Sequence, residues 1–121
     1  MAGTKGNGLH ISNALTSIYL ATGQDTACVA ENSLGHFNVD KKDDGLVFRL
    51  TLPSLTVGTV GGGTRLNQQQ QNLKLLGCDT GENSSRKLAE IIAAATIGLE
   101  ISLLSAIASH TWTSAHMKYG R

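Results

Sequence analysis

One carboxylate lies just past the end of a predicted helix, where a negative charge is unfavourable. Asp25 follows Gly23 and Gln24 directly after a predicted helix, and the partial negative charge of a helix end disfavours a second negative charge. A cation opposite Asp25 would remove that conflict. From these residues alone, a solvated aspartate in a turn is the simpler interpretation, and a catalytic carboxylate is the alternative.

Two histidines carry the other groups suited to proton transfer. His10 and Asn13 are three residues apart at the start of the same predicted helix, a spacing that puts both side chains on one face. His116 lies close to the C-terminus, and imidazole is the side chain best suited to donating a proton near neutral pH. Helix capping and solvated surface histidines remain the simpler interpretations.

A glycine-rich segment, Gly58 to Thr64, reads GTVGGGT. Its glycines let backbone N–H groups approach a ligand closely, or let two elements pack tightly. The spacing matches neither the dinucleotide fingerprint GxGxxG nor the phosphate loop GxxxxGK[ST], so packing is the default interpretation.

The two cysteines, Cys28 and Cys78, match no metal-binding spacing, and we predict no metal site and two reduced thiols.

The elements that must position these groups follow from periodicity and stop signals. Apolar residues recur at helical spacing, and glycines end two of the predicted helices. We predict helices at about residues 11–22, 66–76 and 85–110, with Gly98 either bending the last helix or allowing a close contact. Leu46 to Leu52 is predicted as a strand before Pro53, paired with a second short strand from Ser54 to Val57, and residues 40–45 form a charged turn. The fold class is therefore α+β, dominated by helix, with a long C-terminal helix and a short strand pair.

Composition excludes some classes of protein. A net charge of +1 with interspersed signs offers no basic stripe, so we predict no nucleic-acid partner. Only two Phe, two Tyr and one Trp are present among 121 residues, so the core is thin and apolar surface should be covered by another chain or by further sequence.

The segment from Leu88 to Ile107 is apolar enough that a membrane-spanning helix has to be considered. Glu90 and Glu100 interrupt it, and we expect a buried helix and no membrane in this segment.

The order of the motifs carries more information than any one of them. Together they resemble the final third of 3-hydroxy-3-methylglutaryl-CoA reductase, in the details of its class I, NADPH-using enzymes. The resemblance covers nearly the whole chain, and its two most specific blocks are GTVGGGT and TGQD. The matching blocks, in order, are His10–Asn13, Ala21–Asp25, Thr51–Leu55, Gly58–Thr64, Glu100–Leu103 and His116–Tyr119.

The resemblance implies roles for particular residues. Asp25 would be the catalytic aspartate, hydrogen-bonded to an essential lysine that keeps it ionised. His116 would protonate the departing CoA thiolate. His10 and Asn13 would line the hydroxymethylglutaryl pocket. An apolar wall would be formed by Leu103, Ala106 and Ile107.

The nucleotide side of the site follows in the same way. The resemblance implies that Gly61, Gly62, Gly63 and Thr64 support NADPH, with ligand contact and backbone packing left as alternatives. Arg121 falls where the family has a basic residue near the NADPH phosphates. The implied reaction converts hydroxymethylglutaryl-CoA to mevalonate and CoA with two NADPH.

Several family features are missing from this sequence. The catalytic glutamate, the lysine and the DxMGxN nucleotide motif belong to segments upstream of the GQD block. Glu31, Lys41 and Lys42 come after Asp25 and do not correspond to them by position. In the C-terminal part, Trp112, Ser114 and His110 also depart from the residues that the family prefers.

The resemblance therefore identifies residues 1–121 as a C-terminal segment of the reductase's catalytic, substrate-binding domain, without the small nucleotide-binding domain. We expect no turnover by this chain alone. Its expected partners are hydroxymethylglutaryl-CoA, NADPH and either a second copy or the complementary upstream half. The alternative is a non-catalytic dimerisation or binding module derived from the same fold. We expect a cytoplasmic location, and an upstream membrane anchor stays open.

Overall fold

A computed structural model describes residues 3–6, by backbone only, and residues 11–109. The chain forms a three-stranded antiparallel sheet and a group of helices, in an α+β arrangement as predicted. The strands are β1 (Gly3–Gly6), β2 (His36–Lys42) and β3 (Gly45–Thr51), and the helices are α1 (Ile11–Thr22), α2 (Val29–Asn32), α3 (Asn67–Leu75) and α4 (Ser84–Ser109). Two 3-10 turns, Thr26–Cys28 and Gly62–Arg65, precede α2 and α3.

The three longer helices lie close to their predicted bounds. Helix α1 coincides with the prediction, and α3 and α4 differ from it by one residue at each end. Gly77 has a φ of 71° after α3, and the Cys78 N–H donates to the Leu73 carbonyl 2.8 Å away. This bond closes the left-handed turn by which glycine ends a helix. The predicted glycine stops are confirmed at both Gly23 and Gly77.

The predicted strand pair is wrong in one member. Strand β3 matches the first predicted strand, but its partner is β2, joined to it by the two-residue turn Asp43–Asp44. Residues 54–57 form no strand. The Thr56 carbonyl instead accepts a hydrogen bond from the Tyr19 hydroxyl at 2.6 Å, so this backbone bonds to a helix side chain and not to a strand ladder.

The core lies where α1, the end of α3 and α4 meet the sheet. Its buried apolar residues are Ile11, Leu15, Tyr19, Leu73, Cys78, Leu88 and Ile92. On the apolar face of the sheet, Phe37 and Phe48 stack with ring centroids 6.0 Å apart. Leu75 and Val60 are 85% and 82% exposed, so the described residues leave much apolar surface uncovered.

Helix α4 is buried along one face only. Its buried residues recur every fourth position, and this row packs against α1 and β3. By length and composition α4 could cross a membrane, and 17% of its most apolar window is buried within the described chain. The expectation of a buried helix therefore holds only for one stripe of α4. The space beside Gly98 is open, so Gly98 makes no close contact with the described residues. The stripe consists of Ser84, Leu88, Ile92, Thr96 and Glu100.

Candidate active-site cavity

The C-terminal end of α1 directs the chain toward the candidate site. Gly23 adopts a φ of 76°, and the Gln24 N–H donates to the Tyr19 carbonyl 2.9 Å away. A left-handed residue is needed at this position, and glycine takes that conformation without a side-chain clash. The turn places Gln24 and Asp25 immediately beyond the helix.

Two polar side chains of α3 hydrogen-bond to carbonyl groups in the last turn of α1. The amide of Gln69 donates to the Leu20 carbonyl at 3.3 Å, and that of Asn72 donates to the Ala21 carbonyl at 2.7 Å. The last carbonyls of a helix lack partners within the helix, so these bonds satisfy groups that would otherwise need water. The glutamine-rich helix therefore helps to fix the segment that carries Asp25.

Asp25 lies at the start of the next helical turn. Its Oδ1 accepts a hydrogen bond from the Ala27 N–H at 2.9 Å, and it caps the 3-10 turn Thr26–Cys28. An N-terminal cap is a favourable place for a carboxylate, so the conflict expected from α1 alone is resolved by the element that follows. The side chain is exposed, and no ion pair involves Asp25 among the residues that the structure describes.

The Cys28 thiol lies beside this carboxylate. Its Sγ is 3.8 Å from Oδ2 of Asp25. Burial raises the pKa of Cys28, and the charge of Asp25 and the hydrogen bond to it raise the pKa further. Cys28 is therefore held as a neutral thiol, and a neutral thiol is a poor nucleophile and a poor metal ligand. Within the described ranges no group of three or more His, Cys, Asp or Glu residues could hold a metal ion.

Gln24 joins the Asp25 segment to the glycine segment. Its Nε2 donates to the Gly58 carbonyl at 2.7 Å, and its Oε1 accepts from the Gly58 N–H at 2.8 Å. One side-chain amide thus satisfies both backbone groups of a single residue. Nε2 also lies 3.3 Å from the Thr22 carbonyl.

The glycines of the second segment divide into two kinds. A Cβ on Gly63 would lie 2.8 Å from the Gly23 carbonyl oxygen, so Gly63 is required for packing. Gly61 and Gly62 have φ values of 83° and 54°, and a Cβ on either would meet nothing within 4 Å. These two glycines are required by backbone conformation, and they leave their backbone open to the space beside them.

Thr64 ends the glycine segment as a buried residue. Its hydroxyl donates to the Gly61 carbonyl, and its N–H donates to the same oxygen at 3.2 Å. Both bonds tighten the turn around the open glycines. Thr64 therefore acts on the shape of the loop, whether or not it also contacts a ligand.

A cavity of about 600 Å³ lies between the two segments. Among the described residues that line it, Asp25 is the only charged one, beside the amides of Gln24 and Gln69 and the hydroxyls of Thr26 and Thr64. This set can hydrogen-bond a polar ligand, and the Asp25 carboxylate can accept such bonds. The described lining contains no ammonium, guanidinium or imidazole group.

The structure brings some of the predicted site residues together and places others elsewhere. Asp25 shares the cavity with all four residues predicted for the nucleotide side, Gly61, Gly62, Gly63 and Thr64. Asn13 is exposed in the first turn of α1, about 13 Å along the helix axis from Thr22, and it does not line the cavity.

The predicted apolar wall and the tail residues lie apart from the cavity or beyond the described chain. Leu103, Ala106 and Ile107 lie in the last turns of α4 and are not among the cavity's lining residues; Ile107 is 55% exposed. His10, His116 and Arg121 lie outside the described residues.

Sequence reasoning missed two polar contacts that shape the site. The link from Gln24 to Gly58 spans 34 residues, and no local pattern signals it. The other contact is made by Asn32, which is buried in α2 and donates to the Tyr19 hydroxyl at 2.6 Å. The signal available in the sequence was a tyrosine on the apolar face of α1, since a buried phenol needs a polar partner.

Comparisons with known proteins give one consistent result. The family model of hydroxymethylglutaryl-coenzyme A reductase matches residues 1–121. The chain is 45% identical over 121 residues to the 3-hydroxy-3-methylglutaryl-coenzyme A reductase of Methanocaldococcus jannaschii, covering 100% of this chain and 30% of that protein. It is 46% identical over 124 residues to the reductase of the same name from Aeropyrum pernix, covering 99% and 30%.

A plant relative gives the same picture. Over 129 residues the chain is 43% identical to 3-hydroxy-3-methylglutaryl-coenzyme A reductase 2 of Gossypium hirsutum, covering 100% of this chain and 20% of that protein. The chain thus spans between a fifth and a third of the length of these relatives.

Proposed function

The chain belongs to the hydroxymethylglutaryl-coenzyme A reductase family, and we propose that it supplies Asp25 and the glycine segment to the site of such an oxidoreductase. The substrate would be hydroxymethylglutaryl-CoA and the products mevalonate and CoA. The observation that carries the proposal is the shared cavity, where Asp25, the one charged residue of the described lining, lies beside two glycines with open backbone.

Asp25 is suited to a supporting role in proton transfer. The Ala27 N–H and the Cys28 thiol hold its two oxygens in place, while the side chain remains exposed. A carboxylate fixed in this way can orient a lysine ammonium and keep it protonated. We propose that this lysine, and the glutamate that handles protons, come from sequence outside these 121 residues.

The cofactor would be NADPH, which supplies a hydride when bound. Gly61 and Gly62 fit a nucleotide, because they line the cavity and a Cβ on either would meet nothing within 4 Å of the described chain. Open glycine backbone lets N–H groups approach a ligand closely. From the resemblance we also propose Arg121 beside the NADPH phosphates and His116 beside the CoA thiolate. The residues that the resemblance places around the substrate are His10, Asn13, Leu103, Ala106 and Ile107, of which the last four do not line the cavity described above.

A chimeric enzyme tests this function. The matching segment of the Methanocaldococcus jannaschii reductase would be replaced by this chain, and NADPH oxidation would be followed with hydroxymethylglutaryl-CoA. We expect turnover by the chimera and none by the chain alone. Removing one member of a cooperating catalytic set costs orders of magnitude, so Asp25→Asn should lower kcat by at least about 100-fold.

Asp43→Asn is the matched control, since Asp43 is an exposed carboxylate in the turn between β2 and β3. It should leave kcat unchanged. A folded chimera without turnover, or an Asp25→Asn chimera with normal kcat, would contradict the proposal. Turnover by the chain alone would contradict the claim that further residues are needed.

A non-catalytic dimerisation or binding module is the second candidate. The low burial of α4, 17% over its most apolar window, favours a protein partner on that helix. A second copy would cover this surface if the chain is a binding module, and the complementary upstream half would cover it if the chain is a catalytic segment. We propose a cytoplasmic location in both cases. Sedimentation of the purified chain, with and without that upstream half, separates the candidates: the module dimerises by itself, whereas the catalytic segment recruits the missing half.

A further inference from the structure

The middle of the glycine segment has little packing to hold it. A cavity of about 600 Å³ lies on the Asp25 side, and a second of about 170 Å³ is lined in part by the same residues, Val60, Gly61 and Thr64. Val60 is 82% exposed, and neither Gly61 nor Gly62 has a neighbour where its Cβ would be. The position of this stretch therefore depends on how its two ends are fixed.

Both ends are fixed by the segment that carries Asp25. At the C-terminal end, the backbone of Gly63 packs against the backbone of Gly23. At the N-terminal end, the Gln24 side chain makes two hydrogen bonds to Gly58. A further contact joins the Thr59 and Ser84 hydroxyls, 2.6 Å apart, and ties the same end to α4.

We propose that Gln24 is a positioning residue that sets the distance between Asp25 and the open glycines. Gln24 and Asp25 are neighbours in the chain, so the link to Gly58 holds the glycine segment at a fixed place relative to the carboxylate. Gln24 acts through the loop and is not itself a catalytic residue. The consequence for catalysis rests on the proposed function; the consequence for loop position does not.

The chemistry of the amide explains why glutamine is required. Gly58 presents one donor and one acceptor, and a side-chain amide supplies an acceptor and a donor on two neighbouring atoms, its oxygen and its nitrogen. A carboxylate of the same length has no proton to give when ionised, so Gln24→Glu would place an oxygen against the Gly58 carbonyl. Gln24→Ala removes both bonds without adding repulsion. Gln24→Asn keeps the amide but is one methylene too short.

Amide hydrogen exchange of the purified chain tests loop position directly. We expect the Gly58 N–H to be protected in the unmodified chain. Gln24→Ala should accelerate its exchange by about 10-fold or more, which is the loss expected when a typical hydrogen bond is removed. Gln24→Glu keeps an acceptor for this N–H and should accelerate its exchange less than Gln24→Ala does, and the Ile92 amide in the α4 core should be unaffected. Gln71→Ala is the matched control, because Gln71 is an exposed amide on α3 that should not change Gly58 exchange.

Kinetics in the chimeric enzyme test the catalytic consequence. A small misplacement of reacting groups can cost about 100-fold in rate, so Gln24→Glu should lower kcat by about 10- to 100-fold. KM for the thioester should change by less than about 3-fold, since a positioning defect acts after binding. Gln24→Asn should recover part of the lost kcat.

The two experiments fail in different ways. Unchanged Gly58 exchange in Gln24→Ala, or equal acceleration of Gly58 and Ile92 in that variant, would overturn the positioning role. Normal kcat of Gln24→Glu in an active chimera would overturn its catalytic consequence while leaving the proposed function intact. An inactive parent chimera would count against the proposed function, and the exchange data would still decide whether Gln24 holds the loop.

Discussion

The backbone of Gly23 lies directly against the backbone of Gly63. A Cβ on Gly23 would meet the Gly63 carbonyl carbon and oxygen at 2.4 Å and the Thr64 nitrogen at 2.6 Å. Neither partner can move aside as a flexible side chain could, because all three atoms belong to the main chain. Glycine at these two positions is therefore what allows the end of α1 and the glycine segment to form one cavity wall.

Gly23→Ala should destabilise the chain strongly. A left-handed φ costs a residue with a side chain about 1–2 kcal/mol, and the clash with Gly63 adds to that cost. Urea unfolding followed by circular dichroism would measure the loss. Gly62→Ala is the control, because Gly62 also has a positive φ but a Cβ there would meet no neighbour. Its loss of stability should come from the backbone conformation alone. Equal losses for the two variants would show that the contact with Gly63 contributes nothing.

Gly98→Ala should stabilise the chain, in contrast to Gly23→Ala. Gly98 lies inside α4, and a Cβ there would meet nothing within 4 Å. Alanine is favoured over glycine in a helix interior by about 0.5–1 kcal/mol, so the unfolding midpoint in urea should rise. A fall in the midpoint would mean that the open space beside Gly98 is filled when the chain is in solution.

The helices were predictable from the sequence because two local signals agree there. Ile11, Leu15 and Tyr19 recur at the spacing of one helical face, and Gly23 marks the end. For α3 the two signals are the four consecutive glutamines, which are good helix formers, and Gly77 at the end. Such signals depend only on neighbours in the chain, so no knowledge of the rest of the fold is needed to read them.

Strand β2 was not predictable in this way. Its sequence, HFNVDKK, contains Asn, Asp and two Lys, residues with low strand propensity. Two tertiary features hold it in the sheet: the two-residue turn to β3 and its backbone pairing with β1 and β3 on its two edges. Both depend on the pairing itself, which local propensity does not reveal.

The candidate site was predictable only in part. Resemblance linked Asp25 with the glycine segment, and the shared cavity agrees with that link. The division of the glycines into packing and open positions needed the contacts of Gly23. The awkward charge of Asp25 was also explained only by the capped turn at residues 26–28.

Tyr19→Phe should cost stability out of proportion to the single atom removed. The hydroxyl donates to the Thr56 carbonyl and accepts from the Asn32 amide, both at 2.6 Å. Asn32 is 2% exposed and keeps only a 3.4 Å contact with Thr56 when the hydroxyl is lost. A buried polar group without a good partner costs about 1–3 kcal/mol, which urea unfolding can measure.

A double-mutant cycle separates this network from simple loss of packing. If the Tyr19 hydroxyl and Asn32 act together, Tyr19→Phe combined with Asn32→Ala should cost less than the sum of the single variants. Additive costs would contradict the network.

The rate at which the Cys28 thiol reacts should depend on the charge of Asp25. Burial raises the pKa of Cys28, and so do the charge of Asp25 and its hydrogen bond; Glu31 contributes in the same direction. Because the thiolate is the form that reacts, alkylation by iodoacetamide at pH 8 should be slower than for free cysteine. Asp25→Asn should accelerate it, and Glu31→Gln should do so less. Cys78, which is fully buried, serves as the internal control and should react slowly in every variant.

The raised pKa of Cys28 also determines whether the stability of the folded chain rises or falls with pH. The folded pKa of Cys28 lies above its unfolded value, so the folded chain holds the proton more tightly. This contribution is fully present below about pH 8.5, where an unperturbed thiol titrates, and is lost as the pH rises through the folded pKa. The unfolding midpoint in urea should therefore fall above that pH, and it should fall less in Cys28→Ser. An alkaline loss of stability that is identical in Cys28→Ser would assign the effect to Cys78 and Tyr19, whose pKa values burial also raises.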